Sequence, residues 1–317
     1  MTAVFATTTT TTTGVRPRTK AQPGPGPTPE ALLRALDLTV GRRIRGLLPG
    51  EYRAQDLGGG TELAQVRPYE PGDDIRRIDW NVTARTTIPH VRVHVPERAL
   101  TAWLLLDVSP SMTFGTADRR KADVAEGVAV AVGHLATQRG NRLGIVTFGG
   151  SHDRRIPPAA GRRGRLGLLL AARNDAVEEG IGATSPSEAI RIANAAAPRG
   201  GLAVLVSDFR GPRDWLRDLA ALAARHHVIA VEIRDPREAE LSDVGELTLV
   251  DAETGREVRV DTSSRRLRES FASAADEERA SLARDLRRIG VDHLVLSTAG
   301  NWLRALATEL HVRGIRR

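Results

Sequence analysis

The sequence predicts an α/β protein: a doubly wound, mostly parallel sheet preceded by a small β-rich lead-in. Three observations carry this. Trp103–Leu104–Leu105–Leu106–Asp107–Val108 is a short apolar run, the pattern of a strand buried on both faces. From Ala102 onward such runs alternate with segments of helical spacing, which implies parallel strands joined by helical crossovers. At 317 residues and 41% hydrophobic content, the chain is long enough to bury a sizeable core.

Taken in order, residues 1–28 hold a threonine run, Thr7 to Thr13, and then Pro23–Gly24–Pro25–Gly26–Pro27. That composition buries no apolar area and reads as a disordered tail. Residues 29–99 read as an N-terminal helix and a β-rich lead-in. Thr28 caps the helix, Pro29 suits its first turn, and Leu32, Leu33 and Leu36 share one face. Alternation in Val91–Arg92–Val93–His94–Val95 marks an extended segment. Residues 100–317 form the α/β domain. Its first strand is followed by a helix over Lys121–Gln138, with Val124, Val128, Val132 and Leu135 at helical spacing. A strand over Arg142–Phe148 and helices around Leu166–Arg173 and Pro186–Ala197 come next. Strand Leu202–Ser207, helix Asp214–Arg225 and strand Val228–Ile233 continue the alternation. Glu246–Val250 and Glu257–Asp261, joined by Ala252–Glu253–Thr254–Gly255, read as a hairpin. A long helix near Arg265–Arg288, strand His293–Ser297 and helix Asn301–His311 complete the order.

Composition removes several classes of function. With no cysteine, disulfide scaffolds, thiol catalysis and Cys-ligated metals are excluded. No apolar run approaches the roughly 20 residues of a membrane helix, and the start lacks a basic, apolar leader, so the expectation is a soluble, cytoplasmic protein with no membrane span. Lys plus Arg is 46 against 39 acids, a net charge of +7, and Lys20 and Lys121 are the lysines. This basic balance invites a nucleic-acid reading. Aromatics at 3% leave few rings to stack on bases, and the arginines are interspersed with acids, so nucleic acid stands only as an alternative.

Ligands in open α/β sheets collect beyond the carboxyl ends of strands. The first such end here reads Asp107–Val108–Ser109–Pro110–Ser111–Met112, which can aim Asp107, Ser109 and Ser111 at one point. Oxygen-only ligands of this kind suit a hard divalent cation, magnesium before calcium, at about 2.1 Å. By itself the pattern is weak, because Ser and Asp crowd turns for local hydrogen bonding. Two further loops strengthen it: Gly182–Ala183–Thr184–Ser185–Pro186 offers Thr184, and Leu205–Val206–Ser207–Asp208–Phe209 offers Asp208. Both also suit helix caps. In this order, Asp107, Ser109, Ser111, Thr184 and Asp208 resemble the metal-ion-dependent adhesion site of von Willebrand factor A domains, over roughly residues 100 to 311. The resemblance implies a bound Mg ion with one coordination position open to a carboxylate from an acidic protein ligand, some of the site's own ligands acting through water.

A second string lies upstream: Arg67–Pro68–Tyr69–Glu70–Pro71–Gly72–Asp73–Asp74–Ile75–Arg76–Arg77–Ile78–Asp79–Trp80, then Ala84–Arg85 and Glu97–Arg98. Together with the Asp-x-Ser-x-Ser-Met strand end, it resembles the domain-of-unknown-function-58 family. That family implies a partner of MoxR-type AAA+ ATPases, acting as a chaperone or assembly factor. Many members carry two N-terminal membrane helices, which are not seen in this sequence. Read from the residues alone, Arg76, Arg77 and Arg85 pair with Asp74, Asp79 or Glu97 under Trp80, which is a structural lattice. The other reading makes Asp73, Asp74, Arg76, Arg77, Asp79, Trp80 and Arg85 a docking face for the partner. Both stay open at this level.

Enzyme signatures are sparse. Neither lysine follows a glycine, so no phosphate-binding G-x-x-x-x-G-K is present, and any ATP hydrolysis belongs to a partner. Position 109 is Ser, unlike the Asp-x-Asp of phosphoryl-accepting dehalogenase-type sites, and neither serine lies in a G-x-S-x-G elbow. His226 and His227 would point to opposite strand faces; His90 and His94 would share a face but stand roughly 13 Å apart. The expectation is therefore a non-enzymatic, Mg-dependent interaction module. A metal-dependent hydrolase at the same strand edge is the alternative from another class.

Overall fold

The computed structural model describes residues 5–6, 62–95, 101–136, 141–150, 154–161, 186–197, 200–250 and 257–315. The chain divides into two compact units, Pro49–Ala99 on the one hand and Met1–Leu48 with Leu100–Arg317 on the other.

A two-residue strand, β1 (Phe5–Ala6), belongs to the larger unit. The smaller unit pairs β2 (Glu62–Pro68) antiparallel with a later strand, with a single-turn 3₁₀ helix (Ile75–Arg77) and helix α1 (Trp80–Thr86) between them. That later strand is β3 (His90–Val95), the alternating segment of the sequence. Acidic side chains punctuate this connection. Asp74 accepts from the Arg76 amide at 3.0 Å, and Asp79 caps α1 by accepting from Asn81 and Val82 amides at 3.0 and 3.2 Å. A short helix of seven residues depends on such a cap more than on propensity.

In the larger unit, β4 (Thr101–Asp107) leads to helix α2 (Lys121–Ala136), β5 (Arg142–Phe148) and β6 (Arg155–Ala160). Next come α3 (Ser187–Ala196), β7 (Leu202–Ser207), α4 (Leu216–Ala223) and β8 (His227–Arg234). The hairpin β9 (Glu246–Val250) and β10 (Glu257–Asp261) precedes α5 (Arg265–Arg288), β11 (Asp292–Ser297) and α6 (Trp302–Ile315). β1 pairs with β9, Phe5 opposite Val250.

The main sheet has six strands in the order β11-β8-β7-β4-β5-β6. All neighbours run parallel except β6, which pairs antiparallel with β5. Successive residues of β4 feed opposite faces, as its apolar run implies. Leu104 and Leu106 pack with Val124 and Val128 of α2 and Trp302 of α6, while Trp103 and Leu105 pack with Ile190 of α3, Leu219 of α4 and Leu286 of α5. Helices thus cover both faces, and the expected doubly wound α/β architecture is the observed one. Gly127 lets α2 and α6 approach closely: a Cβ there would lie 2.3 Å from the Trp302 ring.

One strand escapes the pattern reading. β6 carries Pro157 and Pro158, which argue against a strand except at a sheet edge, and the edge is where β6 lies. The helix expected near Leu166–Arg173, the one opening at Thr28 and most of the 1–28 segment lie outside the described residues. No helix among the described residues is long and apolar enough to cross a membrane.

Candidate metal and interaction site at the sheet switch point

The chain leaves β4 toward β5 and β6 on one side, whereas β7, β8 and β11 build the other. β4 and β7 are therefore neighbours across the point where strand order reverses, and the crevice beyond their carboxyl ends is where such sheets hold ligands. β4 ends at Asp107; β7 ends at Ser207, with Asp208 next.

Asp107, Ser109, Ser111 and Asp208 are all buried there. One Asp107 oxygen accepts from the Ser109 amide at 2.9 Å, and the other accepts from the Ser207 hydroxyl at 2.5 Å. The Ser109 and Ser111 Oγ atoms lie 3.0 Å apart, held by the 3₁₀ turn Pro110–Thr113. Gly149, just after β5, has φ +89°, and a Cβ on it would lie 2.9 Å from Asp107 Oδ1. Glycine therefore lets a third loop close over the cluster.

The two carboxylates have different fates. Burial, and then the negative charge of Asp208, push Asp107 up to about 7 against the opposing hydrogen bonds from Ser109 and Ser207. Burial acts the same way on Asp208, yet the charge and hydrogen bond of Lys121 outweigh it and hold this carboxyl below the usual range. Lys121 is fully buried at the start of α2. Its Nζ donates to Asp208 Oδ2 at 2.5 Å and to Glu238 Oε1 at 2.6 Å, with the Phe114 ring centroid 5.8 Å away. Burial would lower the Lys121 ammonium, but Asp208 and Glu238 raise it above its ordinary value, so it stays charged.

Further partners make this a continuous wall. Asp208 Oδ1 accepts from the Arg210 amide at 3.1 Å, and Glu238 Oε2 accepts from the Asp235 amide at 3.1 Å. Asp235, itself fully buried, accepts from the Thr116 amide and hydroxyl at 2.7 and 2.5 Å and from Thr298 Oγ1 at 2.7 Å. The loops after β4, β7, β8 and β11 are thereby tied together.

Four of the five expected metal ligands thus gather at the switch point; Thr184 lies outside the described residues. Asp107 with the two serine hydroxyls is an all-oxygen donor set whose buried carboxylate has no ion pair among the described residues, and this chemistry fits a hard divalent ion. Asp208 differs from expectation, because its carboxylate is already bonded to Lys121 and to the Arg210 amide. Among the described residues no group of three or more His, Cys, Asp or Glu could hold a metal, so any such site depends on the hydroxyls. Lys121, Ser207, Gly149 and Glu238 were missed by the motif. The available signal was Lys121 itself, a lysine in a chain that otherwise uses arginine almost throughout.

The upstream string resolves differently from its expected pairing. Arg67 clasps Asp73 with two bonds of 2.8 Å, and Asp79 pairs at 2.9 Å with Arg92 rather than with Arg76, Arg77 or Arg85. These partners and the backbone hydrogen bonds each carboxylate accepts hold both acids below their usual range. Arg77 reaches Asp74 only at 4.0 Å, and Arg76 and Arg85 make no ion pair among the described residues. Trp80 does not pack over the lattice but is 71% exposed, with Ile75 at 66%.

The chain is 42% identical over 277 residues to the uncharacterized protein Rv1480 of Mycobacterium tuberculosis, covering 86% of each chain. Among solved structures it resembles the conserved hypothetical protein BatB from Bacteroides thetaiotaomicron, at 11% identity and TM-score 0.41, covering 69% of this chain and 100% of that one. It also resembles a von Willebrand factor type A protein from Catenulispora acidiphila, at 14% identity and TM-score 0.40, covering 70% and 43%. Residues 65–281 match the model of the protein family of unknown function DUF58, spanning both the upstream string and the Asp107 strand end, and the chain belongs to that family.

Proposed function

We propose that the protein is a non-enzymatic interaction module whose switch-point crevice uses a divalent cation, magnesium first, to capture an acidic side chain of another protein. The observation that carries this reading is the Asp107–Ser109–Ser111 cluster: a buried carboxylate, bonded among the described residues to an amide and a hydroxyl, beside two hydroxyls 3.0 Å apart. Ser109, Ser111 and Asp107 would hold the ion, with Thr184 from its own loop, and Asp208, bonded to Lys121, would stand behind them. The ion would supply a Lewis-acid position for an incoming carboxylate. Ser207 and the Ser109 amide orient Asp107, Gly149 lets the loop after β5 pack closely against it, and the Asp235 and Glu238 bonds keep the strand-end loops from spreading.

On this reading the client or partner belongs to an ATP-driven remodelling system, with a MoxR-type AAA+ ATPase as the proposed partner and the smaller unit as its docking face. The exposed set Ile75, Arg76, Trp80 and Arg85 supports a docking role, while Asp73 and Asp79 are engaged in holding that unit together. Magnesium titration of wild type and Asp107→Ala, read by thermal stability and by capture of the ATPase, tests the proposal. Wild type should gain stability and partner with magnesium and the variant should gain neither; equal behaviour of the two proteins would sink it.

A further inference from the structure

Lys121 is a cation buried inside a site read as a cation receptor. Its charge is not incidental to packing. A fully buried ammonium is costly unless paired, and this one is paired twice, at 2.5 Å with Asp208 and 2.6 Å with Glu238. The chain prefers arginine nearly everywhere, yet here it places the compact point charge of lysine, which fits between two carboxylates where a planar guanidinium would need more room. Glu238 is in turn fixed by the Asp235 amide and by Arg210 at 3.5 Å, so the acid that holds the ammonium is itself held in place.

Two carboxylates at the switch point would make a strong divalent site. With Lys121 in place, Asp208 is bonded at 2.5 Å to an ammonium, whereas the bonds to Asp107 come from the neutral Ser109 amide and Ser207 hydroxyl. We propose that Lys121 is the built-in counter-charge of this site: by holding Asp208 and Glu238 it keeps the chain's own divalent-ion affinity low, so that firm retention of the ion requires the acid contributed by a partner. This rests on the cation-site reading above. It makes ion binding and partner binding mutually dependent, because each supplies charge that the other lacks.

The test is manganese binding to the full chain without partner, measured by calorimetry, for wild type, Lys121→Met and Glu238→Gln, with folding checked by circular dichroism. Removing a positive charge that stands 2.5 Å from the Asp208 carboxylate should tighten binding in Lys121→Met at least tenfold, by roughly the Coulomb repulsion it relieves at a partly screened site. Glu238→Gln leaves the ammonium but removes one of its acids, and should weaken binding several-fold. Opposite signs support the proposal. A merely structural lysine would weaken binding in both variants or leave it unchanged, and either result overturns the proposal while wild-type binding keeps the cation-site reading intact. Binding by Lys121→Met with none by wild type would support the lysine's role but reject the site in the natural chain; no binding by any of the three rejects both. Should Lys121→Met fail to fold, a Glu238→Gln affinity equal to or tighter than wild type still overturns the proposal.

Discussion

Gly149 lies so close to Asp107 that a single added methyl carbon would sit 2.9 Å from the carboxylate oxygen Oδ1. The positive φ of +89° at the same residue is one that side chains rarely adopt. Gly149→Ala is therefore expected to destabilise the protein by about 1–3 kcal/mol and to displace the Asp107 loop. Chemical denaturation measures the first effect. Loss of the proposed magnesium-dependent rise in Tm, beyond what the lower baseline explains, measures the second.

Asp107 also predicts a pH dependence. Its native pKa near 7 stands above the value of about 4 for an unfolded chain, so between these limits the native state binds more protons. Metal-free protein should thus lose stability as pH rises from about 4 to 7, by about 2–4 kcal/mol, with no further loss from this group above that range. Asp107→Asn in chelator should remove that component and be the more stable protein at pH 8. Denaturant melts at several pH values check this; a wild-type stability that climbs through the window in step with the variant contradicts it.

Asp79 and Trp80 are adjacent and should behave oppositely. Asp79→Ala removes both the cap of α1 and the partner of Arg92, and should lower the Tm by several degrees. Trp80→Ala, at an exposed position, should change stability by no more than about 0.5 kcal/mol while, if the proposed docking face is right, abolishing capture of the proposed ATPase partner. Pull-down and thermal melts on the same two preparations separate the roles.

Asp235→Ala should be among the most destabilising single changes in the larger unit, at about 3 kcal/mol or more, because it strands the Thr116 amide and two hydroxyls in a buried place. Its carboxyl is held below the usual range, burial being outweighed by the bonds from Thr116, Thr298 and Arg237. The stability it contributes is therefore present above about pH 4 and fades as pH falls through the lower native value. Acid melts of wild type and Asp235→Asn measure the difference.

Much of the larger unit was legible in the residues because its signals are local. The β4 run is apolar from Ala102 to Leu106, and β9 and β10 fall at the residues where alternation and a Gly-containing turn place them. The strand ends at Asp107 and Asp208 followed from the same reasoning. The Lys121–Asp208–Glu238 contact did not, since its members are 87 and 117 residues apart and no short-range pattern pairs them. A lysine opening an amphipathic helix reads as solvated until the sheet order brings β7 beside β4. The upstream string misled for a related reason: Asp79 is matched not by its neighbours in sequence but by Arg92, across the β3 strand that folds back on it.

The tandem prolines at 157 and 158 carry a consequence for assembly. They sit on the outermost strand, where two successive nitrogens have no hydrogen to offer. Such a flank is a poor template for an incoming strand, so this side of the molecule resists edge-to-edge polymerisation.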